Sequence, residues 1–385
     1  MAAMKDDAGQ PASDGRNERL LVVSNRYVGD SLLAIPFLRN LRRAHPDAVI
    51  DLMSSGGGRT VLTDCPYLDE IVTPASDERL STPARIRAEA VWLTSRRYSH
   101  VYLLKRSFSA AAVAWLAGIP RRVGICGDFN RLLLTRPVRP RRGRHQVETY
   151  LELLRADGVA VDDGHNENWL REDHVARVGD LLAALPAGRP RVLLVVQGTD
   201  CRRFWSPERW VALMHWLVEH EGCELFFCGG PADAALRASL QAAVGPAVAA
   251  HLHDYSETCS LAEAGALVTR MNLCVSVDTG LVHLAASFHV PVVVLVGPTD
   301  PNQWSPWGTR SAVVRSPRVR RRLTDWVAEW RNALRGAPLA WPLGRASMND
   351  ITVEDVQERI TALLAETLPR NEPSGSVREP PPRRR

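Results

Sequence analysis

The residues of this chain best suited to chemistry gather where apolar, strand-like runs stop. Leu273–Val277 and Val292–Val296 have the length and β-branching of buried parallel strands. After the first comes Asp278-Thr279-Gly280-Leu281, opening a short helix that carries His283, Ala285, Ala286 and Phe288. A strand that ends in a small polar turn and feeds a helix leaves free backbone N–H groups at a positive dipole end. Such an end suits a phosphate or diphosphate. The second run ends in Gly297-Pro298-Thr299-Asp300-Pro301, a rigid turn on the same carboxyl edge, where open α/β sheets take ligands. The plainer alternative is an ordinary strand–turn–helix with Asp278 as its cap.

Three more strand ends carry polar groups. Gly29-Asp30-Ser31-Leu32-Leu33-Ala34-Ile35-Pro36 follows the run Arg19–Ser24 and sets a carboxylate at a strand's carboxyl end. Gly198-Thr199-Asp200-Cys201-Arg202-Arg203-Phe204-Trp205 follows Val192–Val196, with a hydroxyl and two guanidinium groups. Cys228-Gly229-Gly230-Pro231-Ala232-Asp233 closes Glu224–Cys228, where a carboxylate could accept hydrogen bonds from ribose hydroxyls. Each has a purely structural reading as well. Asp30 could cap its helix, Arg202 and Arg203 could lie on the surface beside a core tryptophan, and Asp233 could complement a helix dipole.

The elements that would hold these groups alternate. Strands are expected at Arg19–Ser24, Val49–Met53, Glu70–Val72, His100–Leu104 and Arg122–Ile125. A helix is expected over Ser31–Ala44, kinked or started late by Pro36. A basic loop, PVRPRRGRHQ, leads to a helix at Val147–Asp157. Residues 160–190 are polar and end in Pro186, Gly188 and Pro190, so the domain boundary is placed there. Alternation then resumes with strand Val192–Val196, helix Pro207–His220, strand Glu224–Cys228, and helices Ala232–Val244 and Leu261–Arg270. A helix at Val353–Glu366 closes the pattern, after an irregular insertion at 315–345. The expected fold is α/β, two Rossmann-like domains facing across a cleft, at 19–175 and 186–368. A disordered leader at 1–18 and a disordered basic tail at 369–385 flank them.

With 385 residues the chain can bury two cores, and 45% apolar with 24% charged residues is the balance of a soluble globular protein. No apolar run is long enough to span a bilayer, and the polar start lacks a secretory signal's apolar core. The expected location is the cytoplasm, with peripheral contact to the inner membrane. The seven cysteines include no C-x-x-C pair, so a disulfide framework or zinc site is not expected. The net charge of +5 is uneven, with arginines clustered at 136–144, at 315–322 and at the end. Such clusters are usually solvated surface, but they could attract an anionic lipid or phosphorylated glycolipid. Nucleic acid ranks last as a partner, because no recognition signature accompanies them.

The paired Asp278–His283 and Gly297–Pro301 motifs resemble the signature of glycosyltransferase family nine, the bacterial ADP-heptose:lipopolysaccharide heptosyltransferases. The Gly29–Pro36 stretch, the Thr199–Trp205 loop and the Ser347–Val356 segment resemble further parts of that family, so the likeness covers about residues 19–366. It implies a glycosyltransferase B-type fold with the donor on the C-terminal domain and the acceptor on the N-terminal one. Asp30 is then the implied general base. Thr199, Arg203 and the Thr279, Gly280 and Leu281 backbone hold the diphosphate, His283 lies beside the leaving group, and Asp278 belongs to the same motif. Asp233 stands where the family has a glutamate implied to bind ribose, and Arg203 where it has a lysine. His145 matches a histidine heading a helix; with Arg121, Arg122 and Arg144 it is expected to meet an anionic glycolipid acceptor. The implied reaction is inverting transfer of heptose from ADP-heptose, without a cofactor or metal. No D-x-D or ligand cluster stands out, and arginines with helix N-termini could stabilise the leaving diphosphate. Competing readings are a relative using another nucleotide sugar or a small-molecule acceptor, and a catalytically silent nucleotide-sugar-binding protein. A dehydrogenase is disfavoured because no G-x-G-x-x-G follows the first strand.

Overall fold

The computed structural model describes residues 18–73, 82–127, 129–186, 188–198, 200–315, 319–320, 345–346 and 348–367. Leader, tail and most of the 315–345 insertion lie outside these residues, apart from a short antiparallel pairing of Val319–Arg320 with Arg345–Ala346.

The N-terminal half runs β1 (Arg19–Val23), α1 (Val28–Leu32), α2 (Ile35–Ala44), β2 (Val49–Met53), α3 (Gly56–Val61) and β3 (Glu70–Val72). It continues through α4 (Thr82–Arg96), β4 (His100–Leu103), α5 (Phe108–Leu116), β5 (Arg121–Ile125), β6 (Arg136–Val138) and α6 (Gln146–Ala156). After α7 (Glu172–Ala183), the second half runs β7 (Arg191–Val195), α8 (Pro207–Glu219), β8 (Glu224–Phe227), α9 (Ala234–Ala243), α10 (Gly245–Ala249) and β9 (Leu252–Asp254). It ends with α11 (Leu261–Val268), β10 (Leu273–Val277), α12 (Gly280–Ser287), β11 (Val292–Val296), α13 (Pro301–Trp304), β12 (Ser311–Arg315) and α14 (Val353–Thr367).

Both sheets are six-stranded and parallel, in the orders β3-β2-β1-β4-β5-β6 and β12-β11-β10-β7-β8-β9. The chain reverses its direction of strand addition beside β1 in one sheet and beside β7 in the other. These switch points open crevices at the strands' carboxyl ends. Every residue of β10 and β11 is buried, because helices cover both faces.

Pro36 acts as expected but more sharply. The anticipated single helix is two, with Leu33-Ala34 between them and Pro36 in the first turn of α2, where a missing N–H costs little. The polar stretch at 160–190 holds α7, which the sequence reading omitted and which spans the expected domain boundary. Its Val178 and Leu182 are buried, and Arg177 pairs with Glu263 of α11 at 3.1 Å. One apolar cluster runs from Leu20, Leu38 and Tyr150 to Val178, Leu193 and Leu267, so the two halves share a core. Buried Arg39 of α2 clamps the connecting segment, pairing with Asp163 and, at 2.6 Å, with Glu167. Among the described residues no helix is long and apolar enough to cross a membrane.

Candidate active site

The switch strand β1 delivers Asp30. The Ser24–Tyr27 turn leads directly into α1, and Asp30 lies in its first turn. Asn25 Nδ2 donates to Asp30 Oδ1 at 2.9 Å, and the Tyr150 hydroxyl of α6 reaches the same oxygen at 3.4 Å. Burial raises the Asp30 pKa above the ordinary carboxylate value, while these two hydrogen bonds pull it down. A carboxylate with a raised pKa and two fixed donors has the character of a general base.

Opposite it, β10 delivers the Asp278–His283 motif on α12. The two helix starts touch through glycines. A Cβ on Gly280 would lie 2.8 Å from Val28 Cβ and 3.2 Å from the Gly29 nitrogen, and one on Gly29 would lie 2.7 Å from His283 Cδ2. Neither glycine has a positive φ, so space rather than backbone freedom demands them.

From the switch strand β7 comes a 3-10 turn, Cys201–Arg203, anchored by Trp205. That indole is buried edge-on against Trp210, and its Nε1 donates to the Ile351 carbonyl at 3.0 Å. Arg203 Nη1 donates to the Asp278 carbonyl at 2.8 Å and lies 3.3 Å from Asp278 Oδ2. His283 is buried and its pKa is lowered to about 4, chiefly by desolvation; nearby Asp278 opposes the shift, while His145 and Arg203 add to it. The imidazole is therefore neutral at physiological pH.

Among the described residues, Thr279 Oγ1 and His283 Nδ1 are buried at this spot without a hydrogen-bond partner, beside Arg203 and Asp278, whose side chains meet each other only as the 3.3 Å ion pair. Buried polar groups are rarely left unsatisfied. Two of them beside an eight-residue helix's N-terminus suit a polar, anionic ligand. Gly280 and Leu281 supply the first helical residues there, whereas Thr199 lies outside the described residues.

The acceptor set needs correction. Arg121 and Arg122 open β5, level with Leu20 and Leu21 at the start of β1, so they face the sheet's amino edge while Asp30 lies beyond its carboxyl edge. Arg121 is paired with Asp157 at 2.7 Å, and Arg122 Nε donates to the Leu133 carbonyl at 2.7 Å. His145 is also reassigned. It is buried at the start of α6, where Nδ1 accepts from the Val147 N–H at 3.3 Å and Nε2 reaches the Ser305 carbonyl at 2.9 Å. Both contacts are satisfied by the neutral Nε2–H tautomer, and the ring stacks on Trp307 at 4.5 Å. His145 thus joins the two halves. Only Arg144 of this set stays on the carboxyl side with its side chain partly in solvent, paired with Glu152 at 3.0 Å.

Asp233 is buried and bound to Arg237 at 2.7 Å, and Arg237 also holds Asp254 at 2.8 Å. That pairing commits the carboxylate to the domain's own structure, so a ribose hydroxyl would have to share it. A groove of about 500 Å³ lined by Gly143, His145, Pro301, Asn302, Ser305 and Trp307 sits at the junction of the halves, apart from Asp30 and His283. Sequence reasoning missed Asn25 and Tyr150. Asn25 was accessible as the polar residue five before Asp30, but nothing in the sequence tied Tyr150 to a carboxylate 120 residues earlier.

Two facing Rossmann-like domains, with a carboxylate at one switch point and a phosphate-type helix start at the other, define a glycosyltransferase of the B-type fold. The chain matches glycosyltransferase family 9 (heptosyltransferase) over residues 87–324 and belongs to that family. The matched region contains the Arg203 turn and the Asp278–His283 motif and leaves Asp30 outside. Lipopolysaccharide heptosyltransferase 2 of Escherichia coli K12 is 24% identical over 316 residues, covering 77% of this chain and 88% of that protein. The E. coli ADP-heptose lps heptosyltransferase II structure superposes with a TM-score of 0.70 at 23% identity, covering 90% of this chain and 99% of that one. An E. coli heptosyltransferase solved with ADP-2-deoxy-2-fluoro heptose gives a TM-score of 0.61 at 20% identity, covering 89% and 99%.

Proposed function

We propose that this glycosyltransferase moves a heptose from ADP-heptose to a lipopolysaccharide core or a closely related anionic glycolipid, with inversion and without a metal. One observation carries the reading: Asp30 and the unsatisfied polar cluster of α12 stand at opposed switch points that touch through Gly29 and Gly280. Asp30 takes the proton of the acceptor hydroxyl, whose oxygen attacks the anomeric carbon from the face away from the diphosphate. The bond from that carbon to the diphosphate oxygen breaks, and ADP leaves with the electron pair. Arg203 and the N–H groups at the start of α12 offset the developing charge, the service a metal gives elsewhere. Thr199, Thr279 and His283 complete the donor side, with Asp278 holding Arg203 in place. The names of the relatives supply the nucleotide and the sugar.

The test is ADP calorimetry beside turnover of ADP-heptose with excess chelator present. Arg203→Ala should weaken ADP by roughly 1.5–3 kcal/mol, the scale of a charged hydrogen bond, with Arg203→Lys in between. Unchanged ADP affinity in both variants would remove Arg203 from the donor site, and turnover lost to chelator would end the metal-free reading.

A further inference from the structure

With Arg121, Arg122 and His145 committed elsewhere, the acceptor must be held by other groups near Asp30. The turn that delivers Asp30 also carries Arg26 and Tyr27, which the mechanism does not use. Tyr27 is 56% exposed, and exposed Arg26 lies with its guanidinium carbon 5.3 Å from the centre of the tyrosine ring. Among the described residues neither side chain has another polar partner.

The backbone beneath this pair is fixed. The Asn25 carbonyl accepts from Ser54 Oγ at 2.9 Å, the Arg26 carbonyl from the Gly58 N–H at 3.0 Å, and the Tyr27 carbonyl from the Ser31 N–H at 3.2 Å. Glycines of α3 permit the closeness. A Cβ on Gly58 would lie 2.9 Å from the Asn25 carbonyl oxygen, and one on Gly57 2.7 Å from Val28 Cγ2. Tyr27 is the N-cap of α1, yet its side chain makes no hydrogen bond to the helix. Serine, threonine, asparagine or aspartate there would stabilise α1. A pinned turn that forgoes a cap and presents an aromatic ring to water breaks a local rule, and such breaks gather at functional sites. Tyr27 and Asp30 are three residues apart at the start of one helix, so they share a side of it.

We propose that Tyr27 and Arg26 bind the acceptor sugar itself, an anionic pyranose whose hydroxyl Asp30 deprotonates. The C–H face of a sugar ring carries slight positive charge and stacks on the electron-rich face of a tyrosine. A guanidinium lying over the same tyrosine orients the ring and keeps its planar N–H fork free for a carboxylate or phosphate on the sugar. Adenine could also stack on a tyrosine, but the unsatisfied donor-side groups lie at the start of α12, whereas Tyr27 shares its turn with the base. Tyr27 and Arg26 select which sugar presents its hydroxyl and take no part in the proton transfer. The inference rests on the anionic glycolipid acceptor and on Asp30 as base, and it names the residues that recognise that acceptor.

The probe is a deacylated, soluble core oligosaccharide of lipopolysaccharide, titrated calorimetrically into the full chain saturated with ADP. Steady-state heptosyl transfer to the same compound is measured beside it. Tyr27→Ala should weaken binding and raise the oligosaccharide's KM about tenfold, with kcat and ADP affinity within about twofold of wild type. Tyr27→Phe should match wild type, because stacking needs the ring and not the hydroxyl. Arg26→Gln should raise KM about ten- to a hundredfold at low salt. It should also erase the preference of wild type for the acidic oligosaccharide over a dephosphorylated, carboxyl-reduced one. Unchanged oligosaccharide binding in Tyr27→Ala, or no binding by wild type, overturns the proposal. So does a loss of ADP affinity in Tyr27→Ala, which would assign the ring to adenine. Binding that wild type shows and Tyr27→Ala loses, without any heptosyl transfer, would refute the donor reading and leave the acceptor platform standing.

Discussion

Asp30 is held in two ways that work against each other. Burial disfavours its charge, while Asn25 and Tyr150 favour it. Because the folded pKa is raised, the native state binds more protons than the unfolded chain between the two pKa values. Stability therefore falls as pH rises through that window and stays lowered above it. Asp30→Asn should consequently melt above wild type at neutral pH while losing about 10²–10⁴-fold in turnover, with ADP affinity unchanged. Scanning calorimetry beside initial rates checks both halves, and near-normal turnover would end the general-base role. Tyr150 acts through Asp30, so Tyr150→Phe removes a lowering influence and should move the acid limb of the kcat/KM profile to higher pH. A limb that does not move would leave Tyr150 a packing residue. Asp30 and the Asp278–His283 set could be picked out as candidates because strand-end turns place their polar groups in consecutive residues, and the structure brings the two turns together. Tyr150 could not be, since its role comes from the packing of α6 against α2, a tertiary fact without local signature.

At the scale of elements, the junction of α1 with α12 sets how near the two motifs come. Gly280→Ala would drive a Cβ into Val28 and the Gly29 nitrogen, the latter backbone that has little room to yield. Overpacking of this kind costs typically 1–3 kcal/mol. Here it should also push Asp30 from the donor site, so kcat should fall more than ADP affinity. Gly179 in α7 supplies the control: a Cβ there meets nothing within 4 Å, so Gly179→Ala should leave rates alone and add up to about 1 kcal/mol of stability. Equal losses of activity in both variants would show that the glycine contact has no special place. The buried strands were plain from their apolar runs, with ends correct to a residue or so. The edge strands β6, β9 and β12 were not anticipated, because short, exposed edges carry polar residues and little periodicity. Assigning Arg121 and Arg122 to the acceptor failed for a related reason: charge clustering is visible in sequence, but which edge of a parallel strand it occupies depends on register.

Across the whole molecule, the junction is polar as well as apolar. His145 bonds to Ser305 and stacks on Trp307, Gln303 donates to Gln146 at 3.0 Å, and Trp307 Nε1 donates to the Gly164 carbonyl at 2.7 Å. The His145 and Gln146 contacts run from the start of α6, the helix that also carries Tyr150, to α13 and the loop following it, and Trp307 ties that loop to the segment after α6. Seating of the C-terminal half is thereby linked mechanically to the environment of Asp30. His145 has a pKa lowered from its ordinary value, mainly by burial, with the Ser305 carbonyl and Glu148 opposing. A lowered folded pKa means that the native state binds fewer protons than the unfolded chain, so this contribution favours folding less as pH falls below about 6.5. Protonation would also place an N–H on Nδ1 against the Val147 N–H, breaking the cap. His145→Ala removes a hydrogen bond, a ring stack and buried area together, a loss of about 2–4 kcal/mol. It should lower the melting temperature, reduce kcat as the halves loosen, and increase the radius of gyration in solution scattering, with the acceptor KM unmoved. An acceptor ligand would behave in the opposite way, with KM rising and melting unchanged, and that pattern would return His145 to the acceptor site.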